Sequence, residues 1–429
     1  MPPLPTDHPL YAFADARGII RTAVDIVLDD ATSDRSARAR ADGEKIPPGG
    51  VLLTVPFRAC IGTSSLRCGY TLCPLDDGVP GSSRALFTAS DRLAATLASL
   101  VTSEDGKGWA GYADALPAVV DAPTTTWTRS EMAEMEFVRA IGNCVKVKSR
   151  DETVERAIAE KYGGETGWVK KFPWARACVR SRAVDLERGE SFLAPVMDMI
   201  NHSHTTANVK WDSSDDGESV VLRALRTIEP GEELLTQYAC EPSESFLLHM
   251  GFVGGMNPFD RVELWPSLAS AADWFAETFR SESGEVVLDK AAAQEVANEL
   301  EAQQRARERA SIVGLSAGTD VDESAELRLR DIQSTLMGPS VGWKTDYDEA
   351  LWLMFRHFTQ ALMPDENADQ IVLHAIKKRC EELLMSMRTT IEEDEQLFSD
   401  PETPARRRLA VEFRLYKKCL LVRHLQQSD

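Results

Sequence analysis

The periodicity of this chain changes twice along its length, and those changes limit the folds open to it. GIIRTAVDIVL at 18–28 and GGVLLTVP at 49–56 have the composition of strands, the second ending at Pro56, which cannot extend a ladder. Between them, residues 31–45 hold no apolar side chain larger than alanine and read as a surface loop. Residues 84–177 switch to apolar spacings of three and four, as in RALFTASDRLAATLASLV and SEMAEMEFVRAIGNCV, and predict helices. Strand signals return in SFLAPVMDMI, then in SVVLRALRTI and EELLTQY, which flank Pro230-Gly231 and predict a hairpin. From about residue 265 the pattern is helical: Leu351, Phe355, Phe358 and Leu362 form one stripe, Val372, Ile376, Cys380, Leu383 and Met387 another, Leu409, Phe413, Tyr416 and Leu420 a third. Thr390 and Glu393 have the spacing of a capping box. An α+β chain follows: a β-rich domain over 1–255 with a helical insertion at about 84–177, then an α-helical domain over 265–429.

Composition narrows the function. The 429 residues carry 48 basic and 68 acidic side chains, a net charge of −20 that repels a phosphate backbone and argues against nucleic acid. Nine Trp and fifteen Phe within a 43% hydrophobic chain supply real cores, so the charge does not imply disorder. The eight Cys are scattered and form no C-x-x-C pair, which fits a reducing compartment and neither a disulfide framework nor a structural zinc site. No run of eighteen apolar residues predicts a membrane span. The first thirty residues lack an apolar signal core and include Asp7, Asp15, Asp25, Asp29 and Asp30, so a cytoplasmic protein is expected, with nucleus or plastid as alternatives.

No Walker phosphate loop and no HExxH zinc motif occurs. Chemistry-bearing residues concentrate at 179–252. There DMINHS puts Asp198, Asn201 and His202 in a loop after an apolar run, where backbone and amide groups can bind a polar ligand. A capped turn with a satisfied histidine explains that segment equally well on its own. His249, His357 and His374 stand singly in helical patterns and read as packing or surface residues. EEDE at 392–395 reads as a solvated helix start, and RARER at 305–309 as a charged helix face.

DMINHSHTTANV, followed by IEPGEELLTQY and then SFLLHMGFV, resembles the SET-domain protein methyltransferases, in particular the branch of Rubisco large-subunit lysine methyltransferase. DARGIIRTAVDI, GGVLLTVP, WAGYADALP and RSRAV resemble further segments of that branch. MRTTIEEDEQLF and RRRLAVEFRLYKKCLL resemble its helical substrate-binding domain. The resemblance implies a SET domain over 1–255 and a protein-lysine N-methyltransferase that uses S-adenosylmethionine (SAM) and no metal, with a protein substrate docked on the C-terminal helices. It implies that Asn201 and His202 hold the donor's amino and adenine groups, that Arg182 binds its carboxylate, that Phe252 packs on the adenine, and that Asp15, Ala16 and Arg17 also contact the cofactor. Tyr238 matches the catalytic tyrosine, which would orient the amine, while Asp198, Met197 and Met250 match acceptor-side positions. Two departures stand out. Ala16 replaces a family glycine, and would be strained at positive φ. Met197 and Met250 stand where relatives carry aromatic residues. Protein-histidine methylation, or a SET-like interaction module, are the alternative readings.

Overall fold

The computed structural model describes residues 3–28, 35–63, 67–75, 87–185, 191–279, 338–343 and 347–426, together with 295, 296, 298, 299 and 302. By contacts it divides into two units: Met1–Trp127, Cys144–Cys240 and Ser245–Gly254 form the first, Thr128–Asn143, Glu241–Glu244 and Gly255–Asp429 the second.

The first unit opens with helix α1 (Pro9–Ala16), whose proline stands where a helix needs no N–H. Strands β1 (Ile20–Arg21), β2 (Val24–Leu28), β3 (Arg35–Ala39) and β4 (Val51–Pro56) follow. β4 buries Leu52, Leu53 and Val55 and lies inside a four-stranded sheet. After β5 (Ile61–Gly62) comes the helical insertion. Its helix α2 (Ala89–Thr102) is opened by a reciprocal Thr88–Asp91 cap, and the buried Asp91 is also paired with Arg150. A short helix α3 (Arg129–Ala133) belongs to the second unit, and the division falls inside the long helix α4 (Val138–Tyr162). Helix α5 (Gly167–Arg182) packs against α2.

The remaining strands of the first unit are β6 (Val184–Asp185), β7 (Ser191–Leu193), β8 (Asn201–His202), β9 (Val209–Ser213), β10 (Ser219–Ala224) and β11 (Leu235–Thr236), before helix α6 (Ser243–Met250) at the unit boundary. They form sheets of order β1-β4-β10-β9 and β5-β7-β6, the pair β2-β3, and the parallel pair β8-β11.

Two expectations fail here. Residues 35–39 are a paired strand rather than loop: β3 bonds β2 along its length, and Leu234 N–H donates to the Ala37 carbonyl on its other side. Ala37 and Ala39 are its buried face, so under a tightly packed sheet alanine is the core residue. Nor does Pro230-Gly231 close a hairpin between its flanking runs. β10 is taken by β4 and β9 at both edges, which leaves β11 to pair with β8.

In the second unit, β12 (Arg261–Glu263) pairs antiparallel with β13 (Ser340–Gly342), so the region after 265 is not wholly helical. Around it stand α7 (Leu268–Thr278), α8 (Glu349–Leu362), α9 (Ala368–Ser386), α10 (Ile391–Ser399) and α11 (Ala405–Gln426). Leu351, Phe355, Phe358, Val372, Ile376 and Cys380 join Phe275 and Trp265 in one core. Thr390 and Glu393 do form the capping box that starts α10.

The EEDE run is not simply solvated. Asp394 is 0% exposed and accepts from Arg414 Nη2 and Lys418 Nζ, both at 2.7 Å. Glu136 and Glu134 complete the network around Arg414. The buried face of α11 therefore carries Arg414, Lys417 and Lys418 beside Phe413 and Leu420, and the purely apolar stripe expected there is half of it. RARER at 305–309 lies outside the described residues.

Candidate active site

Parallel pairing of β8 with β11 sets Asn201 opposite Leu235 and His202 opposite Thr236. Asn208 locks this junction. Its buried side chain accepts from Leu235 N–H at 2.8 Å and donates to the Glu233 carbonyl at 2.8 Å. Two residues past the junction, Tyr238 donates its backbone N–H to His202 Nδ1 at 3.0 Å and its hydroxyl to the Ile200 carbonyl at 2.5 Å. The strand ends thus hold Tyr238 at both backbone and side chain.

Just upstream, Val196 has φ 73° and ψ −43°, near the γ-turn region that a β-branched residue rarely enters. It is fully buried, and packing holds it there. The turn aims Met197 and Asp198 into a cavity of about 290 Å³. Arg182, Ile200, Trp211, Tyr238 and Met250 complete the working part of its wall. Trp211 lies nearly parallel to Tyr238, ring centroids 6.1 Å apart at 24°.

The electrostatics follow from burial. Asp198 is buried, which lifts its carboxyl to about 6 against the pull of Arg182. Tyr112 donates to Asp198 Oδ2 at 2.6 Å, and burial beside that carboxylate raises its own phenol well above the usual range. Burial also pushes the Tyr238 phenol up to about 12 and His202 down to about 4, so both are neutral near pH 7. Arg182 donates to the Asp198 carbonyl at 2.7 Å. Among the described residues, Arg182 Nε and Asp198 Oδ1 are buried without hydrogen-bond partners. One cationic donor and one anionic acceptor are thus left unsatisfied at one cavity, a pair of charges suited to polar, charged ligands. Among the described residues no group of three or more His, Cys, Asp or Glu could hold a metal ion.

Of the residues singled out in the sequence, Arg182, Met197, Asp198, Tyr238 and Met250 share the cavity wall. His202 and Phe252 stand beside Tyr238 without lining the cavity, His202 5.0 Å from Tyr238 and 5.8 Å from Phe252, ring to ring, while the exposed Asn201 side chain donates to Glu233 Oε1 at 3.1 Å. Asp15, Ala16 and Arg17 do not line the cavity. They end α1, where Arg17 sits over the Trp109 ring at 4.1 Å and Asp15 faces Arg21 at 3.7 Å. Ala16 lies in the helix and Gly18, at φ 72°, takes the left-handed position, so the alanine is unstrained. α1 reaches the site indirectly, through Phe13 stacked on Tyr112 at 6.1 Å.

Tyr112, His204, Asn208 and Trp211 went unrecognised as site residues in the sequence. Tyr112 lies in WAGYADALP, and the other three fall within the dozen residues after Asn201, so proximity to a recognised motif was the available signal. The spacing Gly106-x-Gly108-x-x-Gly111 does occur, but it is no phosphate cradle: Gly106 and Gly111 press on the backbone carbonyls of Leu100 and Pro9. His357 and His374 are exposed, while His249 is half-buried and held down at about 4 by burial.

The chain is similar to known proteins along most of its length. Residues 44–239 match the SET domain model, and residues 345–421 match Rubisco LSMT substrate-binding. The chain is 23% identical over 401 residues to [fructose-bisphosphate aldolase]-lysine N-methyltransferase, chloroplastic, of Arabidopsis thaliana, covering 88% of this chain and 73% of that protein. It is 24% identical over 340 residues to the ribulose-1,5 bisphosphate carboxylase/oxygenase large subunit N-methyltransferase, chloroplastic, of Nicotiana tabacum, covering 74% of this chain and 62% of that protein. The solved structure of the SET domain of LSMT bound to lysine and AdoHcy superposes with a TM-score of 0.64 at 17% identity, over 98% of this chain and 90% of that one, a likeness of fold. With a SET domain and a Rubisco LSMT substrate-binding domain in one chain, this protein belongs to the SET-domain protein methyltransferases of the Rubisco large-subunit lysine methyltransferase-like branch.

Proposed function

We propose that this chain is a SAM-dependent protein-lysine N-methyltransferase. The observation that carries the reading is the placement of Tyr238 and the unsatisfied Arg182 and Asp198 groups on one cavity, directly before the Asn201-His202 strand. SAM, when bound, supplies an electrophilic methyl group on a positively charged sulfur. Arg182 would hold its carboxylate, while Asn201, His202 and Phe252 would meet its amino and adenine groups from the far side of the Tyr238 ring. Asp15, Ala16 and Arg17 would act on the cofactor indirectly, Arg17 through Trp109 and the helix they end through Phe13 on Tyr112.

On the acceptor side, Met197, Ile200, Trp211 and Met250 form an apolar sleeve. A lysine must lose its proton before it can attack, which near pH 7 costs about 5 kcal/mol from an ordinary pKa of about 10.4. An apolar sleeve disfavours the ammonium form and lowers that cost. Asp198 would draw the cationic side chain in, and Tyr238, a neutral phenol near pH 7, would orient the amine nitrogen through its oxygen lone pairs rather than take its proton.

We further propose that residues 1–255 act as the SET domain and residues 265–429 dock the protein substrate, with the protein working in the cytoplasm. The test incubates the full chain with isotope-labelled SAM and a cell extract, followed by mass spectrometry of the labelled residue. Label on lysine supports the reading; label on histidine alone, or none on any protein, overturns it. A fluorescent fusion of the full chain separates cytoplasm from nucleus and plastid.

A further inference from the structure

His202 and His204 belong to a chain of hydrogen bonds whose directions the Tyr238 N–H at one end and the Val253 carbonyl at the other indicate. A backbone N–H can only donate, so His202 Nδ1, 3.0 Å from the Tyr238 nitrogen, is the bare ring nitrogen. The neutral His202 ring therefore carries its hydrogen on Nε2, which lies 2.8 Å from His204 Nδ1 and donates to it. His204 then carries its own hydrogen on Nε2, 3.3 Å from the Val253 carbonyl. Phe246 packs on both rings, stacked on His202 at 4.6 Å and edge-on to His204 at 5.1 Å. His204 is 8% exposed, and Gly254, at φ 77°, lets the backbone come so close that a Cβ there would sit 3.2 Å from His204 Nε2.

We propose that His204 is a positioning residue for Tyr238. By accepting from His202 Nε2 it holds the tilt of the His202 ring, keeps Nδ1 aimed at the Tyr238 amide, and ties that strand end to the turn that carries Phe252. The proposal rests on the methyltransferase reading only for its catalytic consequence; the hydrogen-bond chain itself is testable without turnover.

Two substitutions separate the two ring nitrogens. His204→Asn can place its amide oxygen where Nδ1 stands and still accept from His202. His204→Gln can reach the Val253 carbonyl from the Nε2 position but leaves His202 Nε2–H without its acceptor. The full chain would be examined by hydrogen exchange at the Tyr238 amide, by ¹⁵N spectroscopy of the histidine rings, and by the initial rate of label transfer from SAM to a cell extract. We expect Tyr238 amide exchange to rise about tenfold in His204→Gln and the rate to fall about tenfold, with both within about threefold of wild type in His204→Asn. Equal behaviour of the two variants, or unchanged exchange in His204→Gln, overturns the proposal. Should the glutamine variant fail to fold, the wild-type ring spectra decide: both histidines protonated on Nε2 supports it, and a proton on His202 Nδ1 overturns it. If wild type transfers no label, the functional reading fails while the exchange and ring measurements still decide the role of His204.

Discussion

The hydroxyl of Tyr238 donates to the carbonyl of Ile200 at 2.5 Å, so the side chain that faces the cavity is anchored on the residue just before Asn201. The segment that leads from β11 to the tyrosine and the strand that carries the Asn-His pair are therefore one mechanical unit.

Removing the anchor should cost turnover more than binding. Tyr238→Phe keeps the ring on His202 and Trp211 but loses the oxygen that orients the amine. Transfer of label from SAM is expected to fall on the order of a hundredfold, as for loss of one preorganised polar group at a reacting centre, with calorimetric SAM affinity within about threefold of wild type. Because burial holds the phenol at about 12, the pH–rate profile of wild type should show no limb from Tyr238 below pH 10.

Asp198 makes a pH-dependent stability prediction with a definite sign. Its folded-state value of about 6 lies above its ordinary 3.8, so folding favours the protonated form. That contribution is fully present below pH 3.8 and lost as pH rises through 6. Asp198→Asn should match wild type in urea midpoint near pH 4 and exceed it at pH 8, by up to about 3 kcal/mol. His202 and His249 work in the opposite sense. Both are held at about 4, below the ordinary 6.5, so their contribution is present above pH 6.5 and lost as pH falls toward 4. Acidification over that window should therefore destabilise Asp198→Asn more steeply than wild type.

Trp211 is expected to govern acceptor fit. Stacked on Tyr238, it contributes about 0.5–1.5 kcal/mol of aromatic contact beyond its area. Trp211→Ala should raise the half-saturating concentration of the protein acceptor up to about tenfold, with Trp211→Phe intermediate and SAM affinity unchanged. A selective loss of SAM binding in Trp211→Ala would place the residue on the donor side instead.

The buried ion network of the second unit should be strongly stabilising only as a whole. Asp394→Asn removes the nearest carboxylate of Arg414 and Lys418 and leaves both on the longer Glu136 contacts, and is expected to cost about 3 kcal/mol in that unit, read as a lowered thermal transition. SAM affinity, measured by calorimetry below that transition, is expected to hold.

Local chemistry was legible in the order of residues. Thr390 with Glu393 announced a helix start, β-branched runs announced β2 and β4, and the spacing of Leu351, Phe355 and Phe358 announced a core face, because each depends on neighbours within a few residues. The Asn201-His202 pair, the downstream Tyr238 and the cavity residues Arg182, Met197, Asp198 and Met250 were likewise readable as a motif. What resisted reading was everything decided by which surfaces end up buried together. Ala37 and Ala39 became core because a sheet closed over them from both sides. Asp394 left solvent because α11 brought Arg414 and Lys418 to meet it, and no charge pattern within EEDE records that approach.

The sequence by itself determined the type of most elements, the change from a β-rich to a mainly helical region, and the motif from which the cavity wall is drawn, since hydrogen bonding and side-chain period act over short stretches. Tertiary structure alone decided that β11 lies parallel to β8 rather than folding back on β10, and with it that Tyr238 N–H meets His202 Nδ1. Parallel pairing of distant segments is set by loop closure and by the edges other strands have already taken, and neither quantity is written in the periodicity of either segment.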